Sequence, residues 1–252
     1  MKRLFLFLGL GITLLSAEFS ANAGLTNSVY WDFSTGGASP TSNSFSGLTV
    51  SSLSQGNSGA SVTLLSSSSA SSGYTTAAGF AASGGTNAEI VAPTGVLNPG
   101  ASGSAFFAFS FSLGVSSPFS YNVTNISFGS RSTGTGPQTL SLYDSTDSFV
   151  SSNFISSISV LNNSTWAAAS FNNLSVFIPD NSSTVSFRIF GSDGVGTATS
   201  SANWRIDDLG VALSPAPEPS VVALSAVGGI FCLIALRFNG ARFETRSRRS
   251  RN

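Results

Sequence analysis

The sequence contains no histidine, a single cysteine and few charged residues, which make up 9% of its 252 residues. Without histidine, Ser-His-Asp triads, the usual imidazole base and most zinc sites are excluded. One cysteine excludes a disulfide framework and metal sites built from cysteine clusters. Lysine and arginine together number 11, the same as aspartate and glutamate, so the chain lacks the basic excess of a nucleic-acid-binding protein. These absences predict a protein that is not an enzyme and does not bind nucleic acid.

The neutral total hides an uneven distribution of charge. Residues 1–23 carry a net charge of +1, residues 24–214 carry −5 from three arginines against eight acids, and residues 215–252 carry +4. The positive charge therefore lies at the two ends of the chain, and the region between them is acidic.

The N-terminus has the three parts of a secretory signal peptide. Lys2 and Arg3 form a basic start, residues 4–15 form an apolar run, and Ala21-Asn22-Ala23 has the small-x-small pattern of a cleavage site. The apolar run is too short to cross about 30 Å of hydrocarbon comfortably. We therefore predict a signal peptide over residues 1–23, removed by signal peptidase, and a mature protein that starts near Gly24.

A second apolar segment lies near the C-terminus. The stretch 215–219 is rich in proline and non-helical, and residues 220–236 contain no charged side chain, which suits a short transmembrane helix. The alternative is a buried core helix, but Gly228-Gly229 makes the segment a poor soluble helix. Arginines beside a span stay on the cytoplasmic side. The arginines that set this topology are Arg237, Arg242, Arg246, Arg248, Arg249 and Arg251.

Pro217-Glu218-Pro219, the apolar segment and the arginine-rich tail together resemble the PEP-CTERM sorting signal of bacterial exported proteins. The resemblance covers residues 216–252, and the tail departs from the family pattern because it is longer and contains Phe238 and Phe243. It implies recognition by exosortase, a membrane-embedded cysteine transpeptidase, in a Gram-negative-type bacterium that makes extracellular polysaccharide. It further implies an inner-membrane intermediate, processing near the Pro-Glu-Pro motif, and delivery to the cell surface or matrix.

The region 24–214 contains short segments in which apolar and polar residues alternate. Residues 107–113 and 185–189 show this pattern most clearly, and it is typical of half-buried strands. About ten such strands, separated by turn signals, predict an all-β domain with the form of a single jelly-roll-like β-sandwich. Tyr30-Trp31-Asp32-Phe33 and the segments 126–137 and 204–211 also resemble jelly-roll and galactose-binding-like domains, which include carbohydrate-binding modules. Residues 66–87 lack strand periodicity and predict a long surface loop.

Two adjacent carboxylates interrupt the last predicted strand of this domain. The apolar face changes parity across Asp207-Asp208, which predicts a β-bulge with a structural role. If the first and last strands pair, Asp32 would approach the bulge, and the three carboxylates would begin a calcium site completed by carbonyl oxygens. A glycan hydrolase that uses Asp207 or Asp208 is a further alternative, since glycosidases use two carboxyl groups.

Aromatic side chains are the second group of candidate site residues. Sugars stack on exposed aromatic rings, although most large aromatics are buried, and we expect this of Trp204. Together these patterns predict a non-enzymatic surface or matrix protein associated with extracellular polysaccharide, with a calcium-dependent carbohydrate-binding module as the alternative. The candidate sugar-contacting residues are Trp31, Tyr74 and Trp166, with Tyr121 and Tyr143 as weaker candidates.

Overall fold

The computed structural model describes residues 28–114, 120–197 and 200–216. Within these ranges the regular structure consists of β-strands and one short 3-10 turn, Phe33–Thr35, and no helix has the length and hydropathy needed to cross a bilayer. The predicted signal peptide, the motif Pro217-Glu218-Pro219, the predicted span 220–236 and the six tail arginines all lie outside the described residues.

The described residues form fourteen strands in two antiparallel sheets. Several strands are only two to four residues long, which is why the sequence pattern alone indicates fewer. The eight-stranded sheet contains β1 Ser28–Trp31, β2 Ser42–Asn43, β5 Leu65–Ser66, β6 Asn87–Ile90, β8 Tyr121–Ser132, β11 Trp166–Phe171, β12 Val176–Ile178 and β14 Trp204–Pro215. The six-stranded sheet contains β3 Leu48–Val50, β4 Ser54–Gly56, β7 Phe106–Leu113, β9 Thr139–Ser145, β10 Asn153–Ser159 and β13 Thr184–Ser192.

The two sheets pack face to face over a shared hydrophobic core. The ring centroids of Trp31 and Phe109 lie 5.3 Å apart, and those of Trp204 and Phe107 lie 4.7 Å apart, so each pair joins one sheet to the other. Both tryptophans are fully buried, as predicted for Trp204. The inward residues alternate with outward ones along β7 and β13, which is the pattern expected of strands with one face in the core. The prediction of an all-β sandwich is confirmed.

Strand β14 lies in the middle of the eight-stranded sheet. It pairs with β8 along one edge and with β1 and β6 along the other. The register with β8 shifts between Asp207 and Gly210, and Asp208 has a left-handed backbone with φ of 51°. This bulge moves the inward face from Ile206 to Leu209, both fully buried, and it confirms the bulge that the sequence predicts.

A long loop over residues 67–86, hereafter the covering loop, lies on the outer face of the eight-stranded sheet. It agrees with the loop predicted over residues 66–87. The ring of Tyr74 packs on Gly129 and the ring of Phe80 packs on Gly210: a Cβ atom at these glycines would lie 2.0 Å and 2.6 Å from the respective rings. Glycines in two neighbouring strands therefore let the covering loop approach the sheet closely.

Candidate functional site

The Asp207–Asp208 bulge is buried beneath the covering loop, and neither residue has any exposed surface. The Asp208 carboxylate accepts hydrogen bonds from the Tyr30 hydroxyl, from the Tyr74 hydroxyl at 2.6 Å and from the Ser83 backbone N–H at 3.1 Å. Burial, followed by the hydrogen bond to Asp208, raises the pKa of both tyrosines, so these phenols stay protonated and continue to donate. One carboxylate therefore joins β1 and the covering loop to β14.

Asp207 has a different environment from its neighbour. Its Oδ1 accepts the Asp208 backbone N–H at 2.9 Å, whereas its Oδ2 makes no hydrogen bond to any described residue. Burial, and then the negative charges of Asp208 and Asp32, raise the pKa of Asp207 to about 7, while the nearby Ser71 hydroxyl and the Asp208 N–H act in the opposite direction. This carboxyl group therefore gains and loses a proton near neutral pH.

The pairing of the first and last strands, which the calcium hypothesis requires, is present, since β1 pairs with β14 with Trp31 opposite Leu209. Asp32 nevertheless uses its carboxylate locally: Oδ1 accepts the Ser34 N–H at 2.9 Å and caps the 3-10 turn. In the part of the chain that the structure describes, no three His, Cys, Asp or Glu side chains are placed to hold a metal ion. Both oxygens of Asp208 already accept from O–H or N–H donors. The calcium site at Asp32, Asp207 and Asp208 stays a prediction.

The burial of Asp207 and Asp208 also argues against a glycan hydrolase that uses them. A glycosidase places its two carboxyl groups on either side of a sugar bond, in a cleft open to substrate. Asp207 and Asp208 lie under Tyr74 and have no exposed surface, so the described part of the chain offers a sugar no access to them. Their arrangement is that of structural carboxylates at a bulge.

The aromatic residues predicted to stack on sugars lie in packed positions. Trp31 is fully buried in the core, and only 9% of Tyr74 and 8% of Trp166 are exposed. The Trp166 Nε1–H donates to the Ser69 carbonyl at 3.0 Å, and its ring centroid lies 5.9 Å from that of Tyr74, so both rings hold the covering loop. In this structure these rings contribute to packing, the commoner use of large aromatics, and sugar contact by Trp31, Tyr74 and Trp166 stays a prediction.

An open groove lies instead on the outer face of the six-stranded sheet. Its volume is about 320 Å³. Six of its ten lining residues are serines, and the alternation along β7 and β13 turns two of them, Ser110 and Ser186, outward. We call it the serine groove, and it is lined by Ser51, Ser52, Ser54, Ala108, Phe109, Ser110, Ser148, Phe149, Ser186 and Arg188.

Arg188 stands at one side of the serine groove between two aromatic rings. Its Cζ lies 4.1 Å from the ring centroid of Phe106 and 3.9 Å from that of Phe149, which are cation–π distances. Partial burial lowers the pKa of Arg188, but a guanidinium stays charged at neutral pH. Among the described residues its N–H groups meet no hydrogen-bond acceptor and no carboxylate. The groove therefore contains a positive charge with free donors.

The hairpin turn between β9 and β10 brings Phe149 to this position. Ser148 and Phe149 both have left-handed backbones, with φ of 60° and 65°, at turn positions where glycine or asparagine is usual. Asp147 secures the turn because its carboxylate accepts the N–H and hydroxyl of Ser151 and the hydroxyl of Ser145. These bonds, first those from Ser151, lower the pKa of Asp147 to about 2. The hydrogen bonds of the turn therefore hold a non-glycine residue with a left-handed backbone at the rim of the groove.

Sequence reasoning did not identify Arg188 and Phe149 as site residues. A signal for Arg188 was present, since it occupies an outward position between the inward Phe187 and Ile189 of a clear strand pattern. No comparable signal exists for Phe149, because its place beside Arg188 depends on the geometry of a turn in another hairpin.

No protein-family model and no curated protein sequence matches the chain. Solved structures match at low identity. One is the C-terminal domain of a chitobiase from Bacteroides fragilis, with 15% identity and a TM-score of 0.28 over 44% of this chain and 66% of that one. Another is an arabinose-bound GH51 α-L-arabinofuranosidase, with 12% identity and a TM-score of 0.38 over 77% of this chain and only 27% of the enzyme. A third is the family 11 carbohydrate-binding module of a cellulosomal cellulase of Clostridium thermocellum, with 12% identity and a TM-score of 0.29 over 76% of this chain and 90% of the module.

Proposed function

We propose that the protein is an exported, non-enzymatic surface or matrix protein that binds extracellular polysaccharide through the serine groove. The observation that carries this proposal is the set of six serines around the ring of Phe149 and the guanidinium of Arg188. Hydroxyl groups that donate and accept hydrogen bonds, placed beside an aromatic surface, match the mixed polar and apolar surface of a sugar.

Binding fits the serine groove better than catalysis does. Its ten lining residues include no carboxylate and no thiol. A serine acts as a nucleophile when a neighbouring base removes its proton, and the chain has no histidine to serve as that base. The groove therefore has the groups to hold a polyhydroxylated ligand but not those to cleave it.

The proposal includes delivery by the two ends of the chain. Signal peptidase would remove residues 1–23, and exosortase would process the PEP-CTERM signal over residues 215–252 after the span 220–236 has held the protein in the inner membrane. The body between them would be a jelly-roll sandwich at the cell surface or in the matrix. The end of β14 at Pro215 supports this division, because the paired strand stops two residues before Pro217-Glu218-Pro219.

The role of the serine groove in sugar binding can be tested with a substitution that fills the groove. We expect the full chain to bind one or more sugars on a glycan array, and Ser110→Phe to abolish that binding because the new ring would occupy the groove. Ser112→Phe is the matched control, since Ser112 lies outward on the same strand but outside the lining. An array that retains no sugar, or a Ser110→Phe variant that binds as the parent does, would overturn the proposal.

A calcium-dependent module is the alternative, and the same array distinguishes it. Binding through the serine groove needs no metal ion, so it should survive a chelator. Loss of binding in chelator, restored by added calcium and removed by Asp32→Asn, would favour the predicted calcium site instead.

Processing is tested by mass spectrometry of the protein from cells with an active exosortase. We expect an N-terminus near Gly24 and a C-terminus near Pro217-Glu218-Pro219. A mature protein that still ends at Asn252 would contradict the sorting proposal.

A further inference from the structure

We infer that the serine groove recognises an acidic sugar, a uronic acid or similar unit, through the guanidinium of Arg188 and the carboxylate of the sugar. This inference rests on the proposed function and names the class of polysaccharide.

The guanidinium of Arg188 is held in place but has no protein acceptor among the described residues. Phe106 and Phe149 lie 4.1 Å and 3.9 Å from its Cζ and restrict the side chain to the groove. A guanidinium has five N–H donors, and its planar fork matches a carboxylate through two parallel hydrogen bonds. Such charge-assisted bonds are stronger than those between neutral groups. A ligand carboxylate is therefore the partner that this preorganised group lacks.

The other two arginines of the described chain have partners. Arg205 forms an ion pair with Glu89 and donates to Asn87, and Arg131 donates its Nε–H to the Ser164 carbonyl at 2.8 Å. Arg188 differs from both, since neither an ion pair nor a hydrogen bond to the described residues engages it. The positive charge of Arg188 is therefore not used in an ion pair or a hydrogen bond with the described residues.

The acidic group nearest in sequence to the groove lining forms no ion pair with Arg188. Asp147 belongs to the turn that carries Phe149, but its carboxylate accepts from Ser145 and Ser151. The lining itself contains no acidic side chain. Arg188 is thus the single charged side chain of the lining, on a domain whose net charge is negative.

The rest of the lining favours a sugar over an acidic peptide. Outward serines Ser110 and Ser186 on adjacent strands lie directly opposite each other and present hydroxyls across the groove floor. A sugar ring offers several hydroxyls to such a surface, whereas an acidic peptide side chain offers one carboxylate on an apolar stem. The arrangement therefore fits a ligand that carries both hydroxyls and a carboxylate.

The test compares polygalacturonate with its fully methyl-esterified form, which has the same backbone without the charge. We expect the full chain to bind the acid at least about tenfold more tightly than the ester, and Arg188→Gln to remove that preference. Arg188→Lys should keep part of the preference, because it retains the charge but not the bidentate fork. Arg131→Gln is the control for loss of a positive charge on the other sheet, and it should bind as the parent does.

The possible outcomes separate this inference from the proposed function. Equal binding of acid and ester, lost in Ser110→Phe, would leave the polysaccharide proposal standing and overturn the acidic-sugar inference. Equally tight binding of polyglutamate would also overturn it, since the groove would then recognise any carboxylate. If the protein binds neither polygalacturonate nor its methyl ester, and no sugar on the array, both the polysaccharide proposal and the acidic-sugar inference are overturned. If Arg188→Gln does not fold, the acid–ester pair and Arg188→Lys still decide the matter.

Discussion

The hydroxyl of Tyr74 donates a 2.6 Å hydrogen bond to Asp208, a residue 134 positions further along the chain. Tyr74 belongs to the covering loop and Asp208 to the bulge of β14. The Tyr30 hydroxyl of β1 donates to the same carboxylate, and so does the Ser83 N–H at the far end of the loop. The covering loop is therefore held on the sheet by one buried carboxyl group that accepts from three donors in two separate segments.

Replacing Asp208 by Asn should destabilise the protein by about 2–4 kcal/mol, because an amide group would face donors with a donor of its own. Tyr74→Phe should cost less, about 1–2 kcal/mol, and should cost almost nothing further in the Asp208→Asn background. Denaturant unfolding of the two single variants and the double variant measures this coupling. Tyr143→Phe, which alters a half-buried tyrosine on the other sheet, is the control. Fully additive effects would contradict a shared hydrogen-bond cluster.

The pKa of Asp207, raised to about 7 in the folded protein, predicts a pH-dependent stability. An unfolded aspartate has a pKa of about 3.9, so between pH 4 and 7 the folded state retains a proton that the unfolded chain has lost. The contribution of Asp207 to the free energy of unfolding is thus greatest below about pH 4 and falls as the pH rises towards 7. Asp207→Asn should flatten this dependence in denaturant unfolding measured from pH 4 to 8.

Asp147 provides a comparison, because its contribution to stability depends on pH in the opposite direction from that of Asp207. Its pKa is lowered to about 2 by hydrogen bonds from Ser151 and Ser145, so its contribution is present above about pH 4 and is lost as the pH falls towards 2. Asp147→Asn should therefore lower the stability by a constant amount above about pH 4 and change its slope only between about pH 2 and 4, so for this variant the measurement is extended to pH 2. If the free energy of unfolding changes equally with pH in the parent and in Asp207→Asn between pH 4 and 7, Asp207 does not titrate in that range.

Gly129→Ala should loosen the covering loop. A Cβ at this position would lie 2.0 Å from Cζ of Tyr74, so the ring must move away from the sheet and the loop with it. We expect a loss of about 1–3 kcal/mol and faster hydrogen exchange in residues 67–86. Gly134→Ala, where a Cβ meets no atom within 4 Å, is the matched control. Similar effects of the two substitutions would contradict close packing of Tyr74 on the strand.

Phe149→Gly should separate stability from binding. The glycine relieves a left-handed backbone, a gain of about 1 kcal/mol, but loses a cation–π contact worth roughly 0.5–1 kcal/mol. The free energy of unfolding should therefore change little, while sugar binding weakens several-fold. Ser148→Gly relieves the neighbouring left-handed residue without removing the ring, so it should stabilise the hairpin and leave binding intact. Equal binding by both variants would show that the Phe149 ring does not contribute.

The bulge follows from the local sequence pattern, whereas the site does not. The parity change at Asp207-Asp208 is visible in the sequence because strands alternate with period two. The pairing of β1 with β14 joins residues about 180 positions apart, and the sequence offers it only as a condition for the calcium site. The burial of Tyr74 and Trp166 depends on a loop that folds back onto a sheet assembled from distant segments. The orientation of Arg188 follows from its strand, but its lack of an acceptor depends on where Asp147 and Ser151 place their side chains. The sequence pattern predicts which face of a sheet a residue occupies, but the packing of distant segments determines what covers that face.

The position of β14 also determines the order in which the molecule can be assembled. Chains are made from the N-terminus, and this central strand, which joins β1, β6 and β8, is the last strand of the described sequence. The six-stranded sheet has all its strands once Ser192 has emerged, but the eight-stranded sheet waits for residues 204–215. Until then β1, β6 and β8 have unpaired edges, which are prone to aggregate. The eight-stranded sheet therefore cannot be completed until almost the whole body of the chain is available.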